Sequence, residues 1–279
     1  MTSVISIDES GQGLPLVLLH GVGANRGVWR HVTPALAEDR RVIAPDLPGF
    51  GQSAPAGDRF DLDAAATALA DELAARTAEP FDLLGNSLGG AVAVKLAVLR
   101  PDLVRRLVLA APAGFAPRSS PAAAAAGALS DPAVRVRRII GAPVARSPTA
   151  RRALLWGTVA EPHRLSADDA RMMLRASRGS TRIGAAVAAV LRADLRSELG
   201  RLEAPLGVIW GWRDRIIPIS TLRQIRGARP DVIVVTIPRA AHVPQVERPA
   251  EFVAAVRRLL ERMRAETVSS HFRSGPGLG

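Results

Sequence analysis

Ser87 is the residue of this chain best placed to do chemistry. It sits in Gly85-Asn86-Ser87-Leu88-Gly89, after the apolar run Phe81-Asp82-Leu83-Leu84 and before a helix-like segment over residues 90–100. A serine with glycines two positions to either side, between a strand and a helix, marks a very sharp turn. Such a turn strains the serine backbone and leaves room for little more than hydrogen at its flanks. It also sets the hydroxyl at a helix N-terminus, where partial positive charge favours a developing anion. A hydroxyl is a weak nucleophile until a base takes its proton, and a histidine near neutral pKa suits that task. Of His20, His31, His163, His242 and His271, only His242 follows a returning strand, in Thr236-Ile237-Pro238-Arg239-Ala240-Ala241-His242. An acid is then needed to hold the imidazole tautomer. Asp214, in Trp210-Gly211-Trp212-Arg213-Asp214, lies just past a strand end. Ser87, Asp214 and His242 together suit acyl transfer through a serine ester.

Other carboxylates fit less well. Asp82 and Asp231 precede strands and so fall on the opposite edge. Asp46, in Asp46-Leu47-Pro48-Gly49, reads as a turn residue. The place after residues 107–109 holds Ala111-Pro112-Ala113, with no acid. The oxyanion of a tetrahedral intermediate needs two donors. The backbone N–H of Leu88 is one; the loop His20-Gly21-Val22-Gly23 supplies the other, Val22 N–H, with Gly21 as the alternative. His20 itself reads as a structural tie within that loop. No His-x-x-x-His pair, carboxylate cluster or nucleotide-binding glycine loop is present, so neither metal nor cofactor is expected.

The elements that must carry these residues alternate. Apolar runs at 16–19, 41–44, 81–84, 107–109, 206–210 and 232–237 read as strands. Helical patterns cover 27–37, 62–76 with Asp61 as N-cap, 90–100 stopped by Pro101, and 249–264. Near-continuous apolar strands separated by helices predict an α/β fold, its parallel sheet covered on both faces. Loops past parallel strands all reach one edge, which would gather Ser87, Asp214 and His242. From 115 to 199 the rhythm breaks. The segment is rich in Ala and Arg, punctuated by prolines, and shows no strand; it reads as a helical insertion. Within it, Trp156 is a candidate wall of a substrate pocket, as is Val243 beside the histidine.

The 279 residues carry a net charge of +11, yet Lys95 is the only lysine and the arginines are spread along the chain. No RNP-like motif, zinc-finger spacing or recognition helix accompanies the charge, so no nucleic-acid partner is expected. No secretory signal and no apolar run long enough to cross a bilayer is visible, so a cytoplasmic protein without a membrane partner is expected. With no cysteine in the chain, thiol chemistry and disulfides are excluded.

Five segments taken in order resemble the α/β-hydrolase superfamily: Leu19-His20-Gly21-Val22-Gly23, Asp46-Leu47-Pro48-Gly49-Phe50-Gly51-Gln52-Ser53, Gly85-Asn86-Ser87-Leu88-Gly89-Gly90, Gly211-Trp212-Arg213-Asp214 and Ala241-His242-Val243-Pro244. The resemblance implies an eight-stranded, mostly parallel sheet, with a helical cap inserted after the sixth strand. The implied division is a core over 1–114 and 200–266 and a cap over 115–199; residues 267–279, with Ser, Gly and Pro and few apolar residues, read as a frayed tail. Only Val4-Ile5-Ser6-Ile7 is available for the opening hairpin, so the first strand is short or missing. Gly-Asn-Ser-Leu-Gly-Gly resembles both esterases and carbon–carbon bond hydrolases. The tryptophan that the latter tend to carry shortly after the histidine is absent from Val243-Pro244-Gln245-Val246-Glu247. The expected activity is therefore hydrolysis of a carboxylic ester, thioester or lactone with an apolar portion. Carbon–carbon cleavage of vinylogous β-diketones is the alternative, and a catalytically idle ligand receptor on the same scaffold is a third reading.

Overall fold

A computed structural model of the chain describes residues 5–115, 143–176 and 183–273, with side chains described up to residue 265. The strands are β1 (Ile7–Ser10), β2 (Pro15–Leu19), β3 (Arg41–Pro45), β4 (Phe81–Asn86), β5 (Val104–Ala110), β6 (Leu206–Gly211) and β7 (Ile233–Ile237). They form one seven-stranded sheet in the order β1-β3-β2-β4-β5-β6-β7. β1 runs antiparallel to β3, and every other neighbouring pair is parallel. The described residues thus give seven strands where the resemblance implied eight.

Both faces of the sheet are covered. Leu16 and Leu18 of β2 share a core with Trp29, Val256 and Leu259, while Val17 and Leu19 share the opposite core with Leu69, Leu88 and Val92. Each such buried side chain contributes about 1.5–3 kcal/mol. The strand alternation thus fastens the sheet from two sides and fixes where its C-terminal edge lies.

The helices are α1 (Thr33–Leu36), α2 (Leu62–Arg76), α3 (Leu88–Leu99), α4 (Pro148–Leu154), α5 (Ala167–Ala176), α6 (Ile183–Arg192), α7 (Arg196–Gly200), α8 (Leu222–Ala228), α9 (Pro244–Glu247) and α10 (Pro249–Arg273). Asp61 caps α2 as expected, accepting from the N–H groups of Asp63 and Ala64 at 2.9 Å each. The helix expected over 27–37 arrives in two pieces, a 3₁₀ turn at Arg26–Trp29 and then α1. Pro34 explains the break: without an N–H it starts a helix more readily than it continues one. α10 runs past the expected end at 264, since no glycine or proline interrupts the chain before Gly275-Pro276. The expected tail over 267–279 is therefore helical to Arg273, and its last six residues lie outside the described ones. Between β5 and β6 the described residues are helical or irregular, with no strand, while 116–142 and 177–182 lie outside the description.

Candidate active site

β4 lies near the middle of the sheet, between β2 and β5, and Ser87 is the first residue past it. Its φ of 54° is left-handed; among the described residues, Ala111 at 43° is the other non-glycine with positive φ. Such a conformation costs about 1–3 kcal/mol and persists where neighbours over-determine it. Here they do. Ser87 N–H donates to Ala110 O at 3.0 Å, and Ser87 O accepts from Gly90 N–H at 2.9 Å and Ala113 N–H at 3.1 Å. The acid-free turn Ala111-Pro112-Ala113 thus serves as a brace for the serine. A Cβ on Gly89 would fall 2.3 Å from Leu19 O, and one on Gly85 would fall 2.3 Å from Gly89 O. Strand and helix approach too closely there for any side chain.

Asp214 and His242 meet at the same edge. His242 Nδ1 donates to Asp214 Oδ2 at 2.8 Å, with both residues buried. The other carboxylate oxygen, Oδ1, accepts from Ile216 N–H at 2.8 Å and Ile217 N–H at 2.9 Å. One oxygen is held by backbone and the second is left for the imidazole. With its proton on Nδ1, the ring keeps Nε2 as an acceptor. The two loops are also stitched by backbone: Trp212 N–H donates to Ile237 O at 3.1 Å, and Arg213 N–H to Ala240 O at 2.9 Å.

No hydrogen bond joins Ser87 Oγ to the His242 ring. What joins the two loops is the residue before the serine. Asn86 Nδ2 donates to His242 O at 3.2 Å and to Ala110 O at 3.0 Å, and Asn86 Oδ1 accepts from Gln245 Nε2 at 3.1 Å. The turn that carries Ser87 and the loop that carries His242 are thus joined, and both residues are buried, 5% and 7% exposed. Catalytic hydrogen bonds are often long without substrate and tighten when it binds. A hydroxyl and a carboxylate-held imidazole so arranged can exchange a proton during attack on a carbonyl.

The loop after β2 borders the serine as expected. A Cβ on Gly21 would lie 3.2 Å from Ser87 Cβ. Leu88 opens α3, so its N–H has no acceptor within the helix. Val22 N–H has no acceptor among the described residues. His20 is fully buried, with Nδ1 donating to Gly21 O at 2.8 Å and Nε2 accepting from Leu47 N–H at 3.0 Å. Burial holds its pKa below the usual histidine value and keeps the ring neutral, as a tie requires. Asp46 is likewise spent on its turn: it accepts from Arg26 N–H at 2.7 Å and Gln52 N–H at 2.8 Å and pairs with the Arg26 guanidinium.

Two side chains that the motifs did not single out hold the histidine loop. Gln245, on α9, braces Asn86. Glu247, at the end of α9, accepts from Ala241 N–H at 2.9 Å with one oxygen and from Ala160 N–H at 2.7 Å with the other. His242 N–H donates to Thr158 O at 3.1 Å. The chain between β5 and β6 is thereby fastened to the histidine loop at two points. Burial raises the Glu247 pKa to about 7. A Glu five residues after a histidine was a weak signal; only the fold shows that it faces backward.

Val243 is buried beside His242. Trp156 is 68% exposed and lines an open groove of about 670 Å³ together with Trp212 and Asp214; Ser87 and His242 are absent from that groove's wall. No group of three or more potential metal ligands occurs among the described residues.

Comparison with known proteins bears on the family of the fold. A family model for the α/β hydrolase fold matches residues 15–249. Pimeloyl-[acyl-carrier protein] methyl ester esterase of Chromobacterium violaceum is 35% identical over 262 residues, which cover 91% of this chain and 97% of that protein. The 2-hydroxymuconate semialdehyde hydrolase of Pseudomonas sp. strain CF600 is 44% identical over 113 residues, 39% of this chain and 40% of that one. Among solved structures, a bacterial membrane phospholipase A superimposes with a TM-score of 0.74 at 31% identity, covering 94% of this chain and 86% of that one. The chain belongs to the α/β-hydrolase fold family.

Proposed function

We propose that this protein is a cofactor-free serine hydrolase that cleaves a carboxylic ester, thioester or lactone with an apolar portion. Ser87 attacks the carbonyl as His242 Nε2 takes its proton. Asp214 keeps His242 in the required tautomer and stabilises the imidazolium. The N–H groups of Val22 and Leu88 receive the oxyanion. His242 then protonates the leaving group and activates the water that frees the acid. Val243 suits a wall of the substrate pocket, and Trp156 its outer rim. The described helices between β5 and β6, α4 to α7, belong to a cap on the core.

The observation that carries this reading is the pairing of His242 Nδ1 with Asp214 Oδ2 at 2.8 Å, tied through Asn86 to a left-handed serine at the head of α3. Esterases among the relatives support an ester substrate. A second reading, carbon–carbon cleavage, draws on the 44% identity to a semialdehyde hydrolase over 113 residues. Turnover of p-nitrophenyl butyrate beside a dienoate ring-fission product separates them. Hydrolysis of the ester supports the main reading; a response confined to the dienoate replaces it with the second.

A further inference from the structure

Only six large apolar side chains are conspicuously exposed among the described residues, and three of them fall together: Trp156 at 68%, Trp212 at 62% and Ile216 at 52%. Trp156, which follows α4, and Trp212, which follows β6, line one open groove. Ile216 reaches the same place, since a Cβ on Gly157 would lie 3.5 Å from its Cδ1. Arg152, Arg213 and Arg215 line the groove as well, and Arg215 lies over the Trp156 ring at 5.4 Å. None of these three guanidiniums has a carboxylate partner among the described residues, whereas those of Arg30, Arg171, Arg196 and Arg229 do. The groove's one acid, Asp214, is buried and engaged by His242 and two backbone N–H groups.

Exposed indoles amid unpaired arginines have the composition of a surface that meets a lipid interface. Indole rings settle at headgroup depth, and guanidiniums are drawn to anionic headgroups. A second groove, with Arg30, Arg146, Arg171 and Arg175, lacks aromatic side chains, and two of its arginines are paired with Asp168 and Asp169. No helix among the described residues is long and apolar enough to cross a membrane. Attachment through this face would be peripheral.

We infer that the face formed by Trp156, Trp212, Ile216, Arg152, Arg213 and Arg215 docks on an anionic bilayer surface. This departs from the expectation that no membrane is involved, which rested on the lack of a spanning segment. It places the Asp214 edge of the candidate site toward the lipid, and it does not depend on the hydrolase reading, because its test measures binding.

The chain reports on itself. Its four tryptophans divide into Trp29 and Trp210, fully buried, and the two in the groove. Tryptophan emission and co-sedimentation are measured with vesicles of phosphatidylglycerol and phosphatidylcholine in equal parts, against phosphatidylcholine alone. On the anionic vesicles at low salt, sedimentation with a blue-shifted emission is expected, reversed by high salt. W156A/W212A, checked for fold by circular dichroism, is expected to lose the shift and to bind about tenfold more weakly. R152Q/R213Q/R215Q keeps both indoles and is expected to lose about fivefold per arginine. Sedimentation without an emission change would place the contact on another face and overturn the inference. So would a shift produced by dodecyl phosphate below its micelle concentration but not by vesicles, or no binding to either vesicle.

Discussion

The serine turn and the histidine loop end up beside each other by different means. Ser87 is positioned mainly by backbone sterics: glycines where β4, α3 and the end of β2 nearly touch, and a brace from the adjacent β5 turn. His242 is positioned by hydrogen bonds from far along the chain: Asp214, Asn86 (itself held by Gln245) and, through its backbone, Thr158. A nucleophile can be written into five consecutive residues. Its base has to be carried to it by the whole fold.

Substitutions can break this contrast at either end. The largest loss is expected from S87A, about 10³-fold or more in kcat on a model ester, with KM little changed. Adding H242A to it should cost almost nothing further, because residues that act as a unit are not additive. G89A is next. Its methyl meets the backbone carbonyls of Leu19 and His20, at and just past the end of β2, which cannot move aside, so thermal unfolding should show a loss of several kcal/mol, at about 3 or above. A G89A protein as stable as the parent would show that the close approach of α3 to the end of β2 does not hold the turn.

The histidine loop should yield more gradually. N86A and Q245A remove buried bonds without touching a reacting atom. About 10- to 100-fold lower kcat is expected, with Asp214, Ser87 and the overall fold retained. Unchanged kcat in both variants would mean that the Asp214 pair alone positions the imidazole. The smallest effect concerns Glu247. Its folded pKa, about 7, lies above the ordinary 4.5, so the folded state holds a proton that the unfolded state has released. Stability should therefore fall as pH rises across that window, by at most about 3 kcal/mol. E247Q should flatten the dependence in denaturant titrations; the same slope in E247Q would move its origin elsewhere.

How much of this was legible in the sequence follows the same divide. β2 to β7 were readable as apolar runs, fully buried in β2, β4 and β6 and partly so at the edge strand β7, and the order of Ser87, Asp214 and His242 along the chain announced one shared edge. His20 and Asp46 were readable as ties because each sits in a short turn. Asn86, Gln245 and Glu247 were not. Their roles come from facing a partner as far as 159 positions away, and no local pattern encodes that distance. Trp156 was readable as a pocket candidate, but its meeting with Trp212 in one exposed groove was not, because the two lie 56 positions apart and only the fold brings them together.

Covalent labelling with a fluorophosphonate, read by peptide mass spectrometry, tests most directly whether Ser87, His242 and Asp214 act as one unit. A single adduct on Ser87 is expected, forming about 10³-fold more slowly in H242A. An adduct on a different serine, or Ser87 labelling indifferent to the loss of His242, would contradict it.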